Sequence, residues 1–308
     1  MILCNGEALI DMIPARDSQG NQLFRPLSGG AIFNTAIALG RLHIKVGMLT
    51  GLSSDLFGRQ LLQSLQDSEV DTSLVITSDR PTTLAFVELT DGHASYTFYD
   101  ENTAGRMLGV GQLPQISASY NALYFGGISL CSEPGADTYL ALAEREAGQR
   151  VIVIDPNIRA PFITDESTYR ARIKQFLQLA NIIKVSDEDL NWLVKGDDGL
   201  ADKVARLTAK RPAMVIVTRG SQGASAWLAD GSQVDVPSQR VEVVDTVGAG
   251  DTFNAGVLAN LEEAGLLTKD KVDQIDRAAA EQALNFGAKV AAITVSRAGA
   301  NPPWRNEL

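Results

Sequence analysis

A chain of 308 residues, 45% hydrophobic and 21% charged, has material for one large core with an elaboration, and no long single-sign run that would leave it disordered. Its formal net charge of -10 makes it a poor general binder of nucleic acid or of an anionic membrane. The two cysteines, Cys4 and Cys131, lie far apart in apolar stretches and read as buried free thiols in a reducing cytoplasm.

The N-terminal residues MILCNGEALID lack a basic stretch, which argues against a leader peptide, and no apolar run approaches membrane-spanning length. Apolar runs at 2–9, 45–50, 122–125, 151–154, 182–185 and 214–218 predict strands. Segments of helical period at 33–42, 56–65, 137–146 and 169–179 alternate with them, which predicts an α/β fold with a mainly parallel sheet. Two regions break the rhythm. A polar turn at 17–21 precedes a strand at 22–27, and strands at 83–90 and 94–99 flank Asp91-Gly92, a hairpin signal. With no crossover helices between them, they read as a small β elaboration, either a lid over a site or a plain surface hairpin. Residues 195–199 read as a helix-ending turn, and no repeat or linker divides the chain.

The segment Asp245-Thr246-Val247-Gly248-Ala249-Gly250-Asp251-Thr252-Phe253-Asn254-Ala255-Gly256 carries the most chemistry. It follows an apolar, strand-like run at 241–244 and precedes a helical stretch with Phe253, Val257, Leu258 and Leu261 on one side, closed by Gly265 as a C-cap. Gly248–Gly250 should therefore form a turn at a helix N-terminus, where small residues admit a ligand and unpartnered amides favour an anion such as phosphate. Asp251 at that end could take a proton from an incoming hydroxyl, or could simply cap the helix.

DTVGAGDTFNAG resembles the C-terminal motif of the ribokinase-like, or PfkB, sugar kinases. The resemblance implies an anion hole from the amides of Gly248, Ala249 and Gly250, with Asp251 as catalytic base. Gly6-Glu7-Ala8-Leu9-Ile10-Asp11 resembles the family's first strand, whose closing Asp binds sugar hydroxyls. Ser28-Gly29-Gly30-Ala31-Ile32-Phe33-Asn34 resembles its paired-glycine motif, in which the glycines admit sugar and lid and the Asn binds a hydroxyl. Asp55-Leu56-Phe57-Gly58, Thr218-Arg219-Gly220-Ser221-Gln222-Gly223 and Arg297-Ala298-Gly299-Ala300 match further family segments in the family's order. The resemblance implies a ribokinase-like three-layer α/β/α sandwich with a mainly parallel central sheet and a small β-sheet lid. It implies one kinase domain over 1–308, with lid strands from about 12–28 and 82–100.

The match weakens at the family's N-x-x-E motif, where this chain has Lys184-Val185-Ser186-Asp187-Glu188-Asp189. Ser186 stands for the Asn and Asp189 or Glu188 for the Glu; a water-mediated metal contact at Asp189 and a simple capped helix start both remain open. Asp155-Pro156-Asn157-Ile158-Arg159 ends a strand, and Arg159 could contact phosphate or substrate, or form a surface salt bridge.

The lid stretches around Phe86 and Phe98 resemble those of fructokinase-like members. Asp100 stands where many relatives have Arg, which would disfavour an acidic sugar if it faces the site. The expectation is an ATP-dependent kinase of a free sugar, with fructose first and ketodeoxygluconate or ribose as alternatives; a catalytically silent sugar sensor is the reading from another class. Asp11, Gly29, Gly30, Asn34, Phe98 and Arg159 should hold the sugar. Lys184, Ser186, Thr218, Gly220, Gly223 and Asn285 should lie along the nucleotide. Mg²⁺ should bridge phosphates, and a monovalent cation such as K⁺ stays open. The resemblance also implies a homodimer through the lid. No Walker-type P-loop or dinucleotide fingerprint is present, and His43 and His93 offer no zinc constellation.

Overall fold

The structure is a computed structural model that describes residues 1–90, 93–207 and 209–308. The chain opens with β1 (Ile2–Asn5), β2 (Leu9–Arg16), β3 (Gln22–Gly29), α1 (Ala31–Arg41), β4 (Val46–Leu49), β5 (Gly51–Ser53), α2 (Leu56–Asp67) and β6 (Ile76–Ser78). It continues through β7 (Leu84–Thr90), β8 (His93–Tyr99), β9 (Ala122–Gly126), α3 (Gly135–Glu146), β10 (Val151–Asp155), α4 (Glu166–Leu179), β11 (Ile182–Ser186), α5 (Asp187–Leu193) and α6 (Leu200–Leu207). It ends with β12 (Met214–Thr218), β13 (Ala224–Leu228), β14 (Gln233–Val236), α7 (Ala249–Glu263) and α8 (Arg277–Val295).

The main sheet has the order β14-β13-β12-β11-β10-β9-β1-β4, parallel from β4 to β12 and antiparallel at β13 and β14. Its parallel strands are buried on both faces, which is why they read as unbroken apolar runs. Alternate residues face opposite ways. Ile2 and Cys4 join a core with helices α1, α2, α7 and α8, while Leu3 joins a second core with α3, α4, α5 and α6. The result is three layers, helices on both faces of one sheet. Helices α7 and α8 meet closely: a Cβ on Gly256 would lie 2.7 Å from Gly287 Cα. Cys4 and Cys131 are buried and unpaired, as expected.

A separate four-stranded sheet has the order β3-β2-β7-β8 and forms the lid. Asp11, Ala85 and Phe98 share one row across it and therefore one face. The Asp17–Asn21 turn forms as predicted, with Asp17 Oδ1 accepting the amides of Gln19 and Asn21. Asp91-Gly92, the predicted hairpin turn, lies outside the described residues.

Two expectations need correction. The apolar run 2–9 is two strands: β1 ends at Asn5, the chain bends at Gly6–Ala8, and β2 leaves the main sheet for the lid. The bend carries no hydropathy signal because Ala8, Leu9 and Ile10 are as buried as β1 itself. The run 241–244 is not a strand; Val241, Val243 and Val244 are exposed in an irregular segment. The end of α7 agrees with its sequence signal: Gly265 takes φ 68 and Leu266 N reaches back to Leu261 O at 2.9 Å. No helix among the described residues is long and apolar enough to cross a membrane.

Candidate active site

A cleft of about 270 Å³ lies between the lid and the carboxyl ends of the main strands. The lid contributes Asp11, Tyr96 and Phe98; the start of α1 contributes Gly30, Ala31 and Asn34; the loop after β10 contributes Asn157 and Arg159. Lys184 and the turn 246–251 complete the wall. Ligands gather at this end of an open α/β sheet because the strand termini free their loops there.

Helix α7 starts at Ala249, and Gly248 is its N-cap in the left-handed region, φ 77. Gly248 is also pinned by packing, since a Cβ there would lie 2.7 Å from Ala300 Cβ. Asp245 ties the turn to the C-terminal segment, accepting Val247 N at 3.0 Å and Gly299 N at 2.8 Å. The first-turn amides have no intrahelical acceptor, although Ala249 N makes a long bond to Thr246 O at 3.3 Å. Asp251 is the third helical residue and does not cap the helix. Its side chain turns into the cleft, where Oδ2 accepts Asn34 Nδ2 at 2.9 Å and Oδ1 lies 3.5 Å from Asn157 Nδ2.

Asp251 is buried, and that burial pushes its carboxyl up to about 7; the Asn34 hydrogen bond opposes the rise, the negative Asp155 adds to it, and Lys184 and Arg159 oppose it. Asp11 is raised to about 6, again by burial, with Arg159 pulling down. Gly29 and Gly30 have separate reasons to be glycine. A Cβ on Gly29 would overlap Asp11 Oδ2, and Gly30 takes φ 109 as the N-cap of α1, where a Cβ would stand 3.1 Å from Glu7.

Beneath the glycine turn lies a buried polar group. Lys184 Nζ donates to Asp155 Oδ2 at 2.9 Å, and Asn254 Nδ2 donates to the same oxygen at 2.7 Å and to Tyr124 Oη at 2.9 Å. A Cβ on Gly250 would lie 3.3 Å from Lys184 Nζ, so the ammonium sits directly behind the turn.

Glu7 has a role that no local sequence signal announces. Its Oε1 accepts Ala31 N at 3.0 Å and its Oε2 accepts Ser129 N at 3.3 Å, which joins two walls of the cleft; burial raises its pKa. Asn157 also faces the cleft, and its positive φ of 44 has no sequence signal beyond Asn itself. Phe98 packs on Phe162 across the lid boundary, with centroids 4.7 Å apart.

Of the nucleotide candidates, Lys184 lines this cleft and the other five lie outside it. Ser186 and Thr218 are register partners at the ends of β11 and β12, Gly220 and Gly223 shape the turn after β12, and Asn285 is exposed on α8. Gly223 takes φ 88, and a Cβ there would overlap Val236 O. Ser186 and Asp189 form a capping box at α5, with Asp189 Oδ1 also accepting Ile158 N at 3.1 Å. Asp100 does not face the site: it is buried and paired with Arg106 at 3.2 Å. Its charge therefore has no bearing on which sugar enters the cleft.

The sequence profile described as pfkB family carbohydrate kinase matches residues 1–307. The chain belongs to that family. Among curated relatives, a fructokinase of Rhizobium leguminosarum bv. trifolii is 51% identical over 289 residues, 93% of this chain and 86% of the relative. A fructokinase of Salmonella typhimurium is 34% identical over 310 residues, 98% and 96% of the two chains. Among solved structures, fructokinase with bound ATP from Xylella fastidiosa superposes with a TM-score of 0.87 at 28% identity, covering 97% of this chain and 93% of the other. Fructokinase from Vibrio cholerae O395, in a fructose-, ADP- and calcium-bound form, gives 0.84 at 26%, covering 97% and 94%. As a carbohydrate kinase of the ribokinase-like fold, the chain has its glycine turn, Asp251, Asp11 and Asn34 gathered at one cleft.

Proposed function

We propose that this chain transfers the γ-phosphoryl group of ATP to a hydroxyl of free fructose, with Asp251 as general base. One observation carries the base assignment: a buried carboxylate stands in the first turn of α7 directly behind Gly248, with one side-chain donor on each oxygen. Each oxygen keeps a lone pair for a substrate hydroxyl. The names of the relatives support fructose, and so does charge. Glu7, Asp11 and Asp251 line the cleft beside Lys184 and Arg159, and burial already disfavours the charged form of all three carboxyls, so a further carboxylate from an acidic sugar would be unwelcome there.

In this reading Asp11 and Asn34 hold sugar hydroxyls, Gly29 and Gly30 let the sugar approach, and Phe98 covers it. Asp251 takes the proton as the hydroxyl oxygen attacks, a role worth about 10²–10⁴-fold. The amides of Gly248, Ala249 and Gly250, with Lys184 behind them, face the developing phosphoryl charge. Ser186, Thr218, Gly220, Gly223 and Asn285 line the nucleotide. ATP supplies the phosphoryl group, and Mg²⁺ neutralises its phosphates. Among the described residues no cluster of three His, Cys, Asp or Glu could hold a metal; Asp189 would hold the ion through water, and phosphate and water would supply its other ligands. The protein works in the cytoplasm as a homodimer through the lid, whose edge strands expose Phe24 and Tyr99.

The test is ATP consumption with Mg²⁺, with and without K⁺, against fructose, ribose, ketodeoxygluconate, tagatose, glucose and a nucleoside, for wild type and Asp251→Asn. Fructose should be preferred, and the variant should lose at least ~10²-fold. Preference for ribose or an acidic sugar would overturn the substrate; an active Asp251→Asn would overturn the base.

A further inference from the structure

Asn157 sits in the loop after β10 at φ 44, a region that residues other than glycine seldom enter and that Asn enters more readily than most. Such conformations persist where surrounding contacts hold them, and they cluster at working sites. The contacts here are specific. Arg159 Nη1 donates to Asn157 Oδ1 at 2.6 Å, and to the carbonyls of Asn157 and Ile158 at 3.3 Å each.

That donor fixes the orientation of the amide. A guanidinium has donors only, so it must face Oδ1; an ionised carboxylate has acceptors only, so it must face the NH₂. Asn157 Nδ2 accordingly points at Asp251 Oδ1, 3.5 Å away, while Asn34 Nδ2 holds Oδ2 at 2.9 Å from α1. The carboxylate stands between two side-chain amides, one close and one at the limit of a hydrogen bond.

We propose that Asn157, oriented by Arg159, is a positioning residue that holds Oδ1 of Asp251 and favours its ionised form. The proposal rests on the reading of Asp251 as base. It gives Arg159 a duty other than contacting phosphate: the Nη1 group is committed to the loop. Other groups face Asp251 from every side. Asp155 at the end of β10 opposes ionisation; Lys184 from β11 and Arg159 itself favour it. The phenols of Tyr124 and Tyr96 feel its charge, and Glu7 and Asp11 line the same cleft. Asn34 and Asn157 are the neutral donors on its two oxygens. Hydrogen bonds to the charged form lower a carboxyl pKa, so loss of one should shift the acid limb of activity to higher pH.

The experiment measures kcat/KM for the sugar from about pH 5.5 to 9 at saturating ATP, for wild type, Asn157→Gly, Asn157→Asp and Asp251→Asn. Glycine keeps the left-handed backbone and removes the amide; aspartate keeps the shape and replaces the donor with a charge. The acid limb of Asn157→Gly should rise by ~0.5–1 pH unit, a roughly 3–10-fold loss below the limb that vanishes near pH 9. Asn157→Asp should shift it further. Thermal melts establish that each variant is folded. A uniform loss at every pH would show a purely structural role and overturn the proposal, as would an unmoved limb in both variants. If Asp251→Asn keeps wild-type activity, the base reading itself fails; if that variant is inactive and the limbs do not move, only the role of Asn157 fails.

Discussion

Replacing Lys184 with Met should cost the protein both stability and activity, and the two losses should separate. The ammonium is buried against Asp155, 2.9 Å away, with side-chain exposures of 7% and 1%. Among the described residues Asp155 Oδ1 has no hydrogen-bond partner, so the carboxylate depends on Oδ2 and its two donors, Lys184 and Asn254. Removing one member of a buried pair leaves an uncompensated charge, a loss of about 3–5 kcal/mol. At roughly 2–4 °C per kcal/mol for a chain of comparable size, Tm should fall by roughly 6–20 °C. Lys184→Met with Asp155→Asn removes both charges and should recover more than half of that loss, because a neutral amide is far less costly to bury. Activity should not return in the double variant, since the cation behind the glycine turn is still missing. The assay is a double-mutant cycle by thermal and urea unfolding, with kcat measured on the same samples. Single variants within about 1 kcal/mol of wild type, or losses that simply add, would refute the argument that this pair is a desolvated unit.

Three further outcomes follow from the same geometry. Because burial raises Asp251 to about 7, its ionisation destabilises the fold: the protonated form is fully favourable below the ordinary carboxyl range, and that advantage is lost as pH rises through about 7. Asp251→Asn should therefore melt above wild type at pH 8 and level with it near pH 4, which a Tm-against-pH series checks. Gly29→Ala would place a methyl on Asp11 Oδ2, so sugar KM should rise by at least ~10-fold while ATP binding stays level, as measured by kinetics and calorimetry. If the chain dimerises through the lid, as proposed, Phe24→Lys with Tyr99→Lys should give a monomer in light scattering; a monomeric wild type at working concentration would refute the lid interface.

What could be read in the sequence and what could not divides along physical lines. The glycine turn and Asp251 were legible because the chemistry is local: small residues, a helix start and a carboxylate stand within four positions. Asn34 was legible only through its motif, since nothing local places it against a residue 217 positions away. The bend at Gly6 was not legible, because burial continues unbroken from main sheet to lid. The segment 241–244 misled in the opposite sense: three valines carry a strand signal without forming ladder bonds. The partners of charged side chains were the least legible. Asp100 suggested a substrate preference, yet its side chain is taken up by Arg106, a partnership that only the folded chain discloses.

The bend at Gly6–Ala8 has a mechanical side. Strands β2 and β3 join the main body there and at Gly29-Gly30, where β3 passes into α1, and β7 and β8 join it at Thr83 and Asp100. Asp11 lies two residues beyond the start of β2, whereas Arg16 lies seven beyond it. At about 3.3 Å per strand residue, those are lever arms of roughly 7 and 23 Å. A tilt of about 10° about this fulcrum would carry the far end of the strand through about 4 Å but Asp11 through only about 1 Å. Such a tilt would leave the Asp11 carboxylate nearly in register with Asn34 while the far end of the strand moved, so substitutions at the tip should change how fast substrate enters and leaves more than how tightly it is held.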